Sequence, residues 1–126
     1  MTERGEVITL DEFFAGRDPI SRELYEAVAA EIEVLGNVGT RVTKSQIAFS
    51  RRVAFAWAWM AGKYVRGDVA PLVITVDLHR RDASARWKEI VEPRPGRFTH
   101  HLELRSRTQL DDAVRAWLRE AWDGAE

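Results

Sequence analysis

Three groups of residues have the types and spacing to do chemistry or to bind. The first is polar. Asp77, His79, His101 and Glu103 occupy alternate positions in two segments that alternate apolar and polar residues. If both segments are strands of one sheet, two imidazoles and two carboxylates can meet on its open face. That is a donor set suited to a divalent cation. The ordinary alternative is a solvated sheet face carrying mixed charges.

The second group is cationic. Lys44, Arg51, Arg52, Lys63 and Arg66, with Arg41, lie in a stretch from Val34 to Gly67 that holds no Asp or Glu. Guanidinium forks grip phosphate or carboxylate. The third is the run Phe55-Ala56-Trp57-Ala58-Trp59. Strict alternation in a strand puts the three rings on one face and the alanines on the other. Turned to solvent, the rings form a stacking platform; turned to helices, they form core. The burial habits of aromatic residues favour core, with Trp59, near the strand's end, the ring best placed to stay at a site. The expected ligand contacts are therefore Lys44, Arg51, Arg52 and Trp59, with Lys63 and Arg66 at the margin. They gather around the basic hairpin rather than on the rings.

Nucleophile chemistry has no support. The chain has no G-x-S-x-G elbow, phosphate loop, G-x-G-x-x-G or H-E-x-x-H, so no catalytic residue and no cofactor is expected.

The elements that must position these groups follow from periodicity. Thr9-Leu10-Asp11-Glu12 has capping-box spacing and opens a short helix that stops at Gly16. Asp18-Pro19 starts a second, with Ile20, Leu24, Ala27, Val28, Ile32 and Leu35 on one stripe and Gly36-Asn37 at its end. A C-terminal helix, capped by Thr108, lines up Leu110, Val114, Trp117, Leu118, Ala121 and Trp122. Between them the period is two. Strands are expected at Val38–Val42, around Ile47 and Phe49, at Val53–Met60, Leu72–His79, Lys88–Glu92 and Arg97–Arg105, with a loop at Pro93-Arg94-Pro95-Gly96. Leu72–His79 reads as half-buried. His100 shares a face with Phe98 and Leu102, as a hydrogen-bonded core histidine. The order of elements predicts α+β: a mostly antiparallel sheet of four to six strands, with N-terminal helices and a C-terminal helix packed on it.

The chain has 126 residues and no cysteine. Its length suits a single domain spanning 1–126, and the missing thiols exclude disulfides and thiolate chemistry. No segment is apolar enough to cross a membrane, and the acidic start lacks a signal peptide's basic region, so a cytoplasmic protein is expected. The formal net charge of −1 conceals an asymmetry: residues 1–33 and 108–126 are acidic, and 34–67 carry only positive charge. The near-zero total argues against a dedicated duplex binder.

Several segments together resemble a family of small uncharacterised bacterial domains, domain-of-unknown-function family 5655. They are Asp11-Glu12-Phe13-Phe14-Ala15-Gly16, Thr43-Lys44-Ser45-Gln46-Ile47-Ala48-Phe49, Phe55-Ala56-Trp57, Arg86-Trp87-Lys88, the strand from Arg97 to Leu104, and Leu110-Asp111 leading to Trp117-Leu118-Arg119-Glu120-Ala121. The resemblance spans nearly the whole chain and implies no catalytic residues. Its relatives can be joined to nuclease-like or other domains, which implies a binding accessory. A more distant similarity to a small α+β family that includes frataxin-like iron chaperones implies a metal role for the His/Asp/Glu set. The expectation is a non-enzymatic binding module for an anionic small molecule, peptide or nucleic acid, with metal binding as the alternative and a homodimer closing over a sheet edge as a third possibility.

Overall fold

The computed structural model describes residues 6–61 and 69–126. Two helices come first, α1 (Leu10–Phe14) and α2 (Pro19–Glu33). The capping box forms as its spacing dictates: the Glu12 amide donates to Thr9 Oγ1 at 3.0 Å, and the Thr9 amide donates to Glu12 Oε1 at 2.9 Å. Asp18 caps α2, accepting from the Ile20 amide, with Pro19 in the first turn. Gly36 turns the chain out of α2 at φ +143°, and a Cβ there would lie 2.7 Å from the Trp122 ring. Only glycine fits both demands.

Six strands follow: β1 (Gly39–Val42), β2 (Ile47–Ser50), β3 (Ala54–Trp59), β4 (Leu72–Leu78), β5 (Glu89–Arg94) and β6 (Arg97–Leu104). They form one sheet in the order β1-β2-β3-β4-β6-β5, with every neighbouring pair antiparallel. The chain closes with α3 (Asp112–Gly124). The fold is α+β, as the periodicity predicts.

Three expectations need correction at the level of elements. Thr108 does not cap α3. It lies in a 3₁₀ turn, Arg107–Gln109, and the cap is Asp111, which accepts from the Val114 amide. Pro93 and Arg94 belong to β5 rather than to a loop. β5 is an edge strand with a bulge between Val91 and Arg94, where a missing N–H is tolerated. β4 is not half-buried but buried along its whole length.

The fourth correction concerns the aromatic run. Ser50 pairs with Ala54 while Phe49 pairs with Ala56, so Phe55 is the extra residue of a β-bulge. A bulge puts two successive side chains on the same side of the strand. Phe55, 1 % exposed, joins the core beside Ala56 and Ala58, and the next two rings are turned the other way. The helices cover the face that carries Ile47, Phe49, Ala56, Ala58, Leu72, Ile74, Val76, Leu78, Leu102 and Leu104. The alanines leave room for α3, whose Cα atoms come within 8 Å of β3 and β4. Trp57 and Trp59 are therefore not core.

Candidate functional site

Register builds the open face of the sheet. Trp57 pairs with Thr75 and Trp59 with Val73 across β3 and β4. Thr75 then pairs with His101, Val73 with Glu103 and Asp77 with Thr99 across β4 and β6. Glu89 and Val91 of β5 pair with His101 and Thr99. All these side chains point away from the helices, because their chain neighbours fill the core. Among the described residues no helix lies over them, yet Val73, Thr75 and Asp77 are only 4 %, 5 % and 8 % exposed. The long side chains of the flanking strands lean over them: Trp57 and Trp59 from one side, Arg97 and His101 from the other.

The rings are held from below. Trp59 Nε1–H donates to Thr75 Oγ1 at 2.8 Å, and Thr75 Oγ1 lies 2.7 Å from His101 Nδ1. An indole N–H can only donate, so Thr75 accepts there, and its own proton is aimed at Nδ1. In that arrangement the imidazole proton sits on Nε2; with the hydroxyl turned, its second lone pair accepts from Nδ1–H instead. The His101 ring stands edge-on to Trp59, with 5.9 Å between centroids and planes at 90°. Burial lowers the His101 pKa from its ordinary value, against a smaller opposing pull from Glu89. A hydroxyl beside an imidazole can be a nucleophile with its base. Here the hydroxyl is covered and already accepts from Trp59, so its work is to fix two rings.

Three depressions meet around Trp57. One of about 480 Å³ is lined by Ser45, Gln46, Trp57, Trp59, Thr75, Thr99 and His101. A second, about 300 Å³, is bordered by Trp57, Thr99, Asp77, Arg94 and Arg97. A third, about 260 Å³, runs towards Arg41, Ser50 and Ala54. Arg97 Nη2 donates to Asp77 Oδ2 at 2.5 Å. Beyond Trp59 the character changes: Lys88, Glu89 and Glu103 line a smaller hollow of about 220 Å³ with His101.

The residues expected to bind an anion are not brought together. Lys44 sits exposed in the β1–β2 turn, while Arg51 and Arg52 follow the other end of β2. Arg51 is engaged with α3. Its guanidinium stacks 3.6 Å from the Trp122 ring centroid, donates to the Trp122 carbonyl at 3.2 Å and lies 4.0 Å from the Glu126 carboxylate. A cation on the last carbonyls of a helix is a stabilising cap. The Arg52 amide is tied to the Ala125 carbonyl at 3.1 Å, with its side chain exposed. Of the described members of the set, Trp59 alone borders the depression. Lys63 and Arg66 lie outside the described residues.

The proposed metal set does not assemble either. Asp77, His101 and Glu103 share the open face, but Asp77 is paired with Arg97. His79 lies past the end of β4, where alternation stops, with its ring against Gly124 of α3. No three His, Asp or Glu side chains converge as a metal requires among the described residues.

His100, next to His101 but on the helix side, is the hydrogen-bonded core residue its position implies. It is fully buried; Nε2 accepts from the Asp82 amide at 3.0 Å, and Nδ1–H donates to the Phe98 carbonyl at 3.0 Å. Its pKa is lowered by burial.

Sequence reasoning missed Thr75, Thr99, Ser45, Gln46, Arg94 and Arg97, and placed Trp57 on the wrong side. A signal for Thr75 and Thr99 existed, since each shares its strand's polar parity with a residue that was singled out. Arg94 was hidden by the Pro-Arg-Pro-Gly loop signature.

The sequence family described as Domain of unknown function (DUF5655) matches residues 10–125. No curated protein and no solved structure gives a significant match to the chain.

Proposed function

Because the chain belongs to the DUF5655 family, whose description assigns no activity, we propose from its own residues that it is a non-enzymatic binding module whose anionic ligand lies across the open face of the sheet. One observation carries this: the bulge at Phe55 turns Trp57 and Trp59 outward, beside hydroxyl, amide and imidazole groups. Large rings left at the surface forfeit burial, a loss that contact with a ligand recovers. The indole N–H of Trp57 has no partner among the described residues, whereas that of Trp59 is taken by Thr75. The depression of about 480 Å³ by itself falls within the size range of small-molecule sites. Arg94 and Arg97 against Asp77 give the Trp57 end an excess of positive charge among the described residues, which suits an anion.

The test is NMR mapping with aromatic carboxylates, nucleoside monophosphates and short single-stranded oligonucleotides. A ligand of the open face shifts the Trp57 and Trp59 indole N–H signals and the amides of β3, β4 and β6. Trp57→Ala weakens its binding about tenfold, from lost stacking, while the helix-side signals stay in place. Shifts confined to the Arg51–Arg52 turn, or an affinity indifferent to Trp57→Ala, would overturn the proposal.

A further inference from the structure

We infer that the ligand is a nucleotide unit, its base stacked on Trp57 in the neutral depression and its phosphate at Arg94 and Arg97; this rests on the binding role proposed for the open face. The face is divided into chemically different parts that share one ring. Around the depression of about 480 Å³ every lining side chain is a ring, hydroxyl, amide or imidazole. Ser45, Gln46 and Thr99 offer both donors and acceptors, the mixture that base edges present. The volume of about 480 Å³ accommodates a base with its sugar.

The anion-binding part is separate. Arg94 and Arg97 are directly opposed in the β5–β6 hairpin and border the same hollow. Like charges directly opposite in a sheet repel. Asp77 offsets Arg97, while Arg94 is exposed with no ion pair among the described residues. Arg97 Nε is also buried without an acceptor. An anion between the two guanidinium groups relieves the repulsion. The neutral and arginine-lined hollows are distinct volumes joined at Trp57 and Thr99. A ligand filling both therefore needs a spacer between ring and anion, which the sugar of a nucleotide supplies and a carboxylate bonded directly to its ring lacks. The far end sets the direction by contrast: there Glu89 lies with Lys88, and Glu103 is paired with Arg105 at 3.8 Å, so the hollow beyond Trp59 lacks the excess of guanidinium groups found at Arg94 and Arg97.

Calorimetric titrations at one fixed salt concentration test this with AMP, adenosine, inorganic phosphate and a decamer of deoxythymidylate. AMP should bind at least about tenfold more tightly than adenosine or phosphate alone. Arg94→Ala, on an exposed edge, should bring AMP down to the level of adenosine without moving adenosine, and Arg94→Glu should take AMP below it. Trp57→Ala should weaken both. A decamer that outcompetes AMP and loses affinity in Trp59→Ala identifies the unit within a single strand; a preference for AMP identifies a free nucleotide. Equal binding of AMP and adenosine, or an unchanged ratio in Arg94→Ala, overturns the inference. Adenosine binding that depends on Trp57 would still leave the open-face role standing. Failure of all four probes overturns the nucleotide assignment, and the wider NMR panel then judges the binding role by itself.

Discussion

His100 and His101 are neighbours in the chain and face opposite sides of β6, and their surroundings differ as the two faces of the sheet differ. On the helix side the polar groups around His100 are paired. His100 is held at both ring nitrogens and stands edge-on to Trp87, with 4.8 Å between centroids. Trp87 donates to Asp82 at 2.9 Å and packs 4.2 Å from Trp117. Arg80 spans Asp82 and both oxygens of Glu120, each at 2.8 Å. On the open side His101 is held at one nitrogen, Trp57 has no partner among the described residues, and the rings border space. A network with all members satisfied specifies one structure; a partly satisfied one is prepared for something else. The same sheet thus carries a closed face under the helices and an open one, the face proposed above for contact.

The largest expected effect tests the closed face. Burial alone would raise the Asp82 carboxyl, yet hydrogen bonds from Trp87, the Ser84 amide and Arg80 outweigh it and lower the pKa to about 2. Asp82→Ala strips those partners of their acceptor, and Trp87 lies buried. A loss of about 3 kcal/mol in urea denaturation is expected. Trp57→Ala should cost at most about 1 kcal/mol, because its ring is half-buried over a groove. Equal losses would erase the contrast between the faces.

That contrast was only half legible in the sequence. The capping box at Thr9, the α2 stripe and the parity of β6 are local patterns, and local physics decides them. The direction of Trp57 is not local. The alternation from Phe55 to Trp59 is real, but the bulge that breaks it lies beside a turn held from the far end of the chain. The Arg52 amide bonds Ala125 O, and Arg51 stacks on Trp122. The Trp59–Thr75–His101 chain likewise requires β4 between β3 and β6, an order no periodicity encodes. His79 lies off the open face for a simpler reason: parity holds only inside a strand, and β4 ends at Leu78.

The next effect is acid sensitivity. Burial holds the pKa of both His100 and His101 below the ordinary value in the folded protein. The unfolded chain therefore binds more protons as pH falls below about 6.5, so stability rises with pH through this range and is lost on acidification. The slope reaches at most about 1.4 kcal/mol per pH unit for each imidazole. Protonating His100 breaks the bond from the Asp82 amide, whereas protonating His101 requires only that the Thr75 hydroxyl turn. His100 should stay neutral to lower pH. Histidine titration followed by NMR checks the order, and a reversed order would mean that the open face is the more tightly closed.

The smallest effect sharpens the comparison most, because it removes one hydroxyl from the open face without changing its shape. Thr75→Val keeps the volume of β4 but leaves Trp59 Nε1 and His101 Nδ1 without their shared partner. Both rings border the groove, so water can take over these bonds, and the expected cost is about 1 kcal/mol. The larger consequence is orientation. A Thr75 hydroxyl that donates to Nδ1 favours the imidazole proton on Nε2; without it that preference is removed, and the edge-on contact with Trp59 loses its anchor. Nitrogen-15 shifts of the His101 ring should pass from one favoured tautomer to a mixture, with the His100 ring unchanged. A loss near that of Asp82→Ala would instead show the hydroxyl to be sealed from water, and the open face would then be as finished as the one beneath the helices.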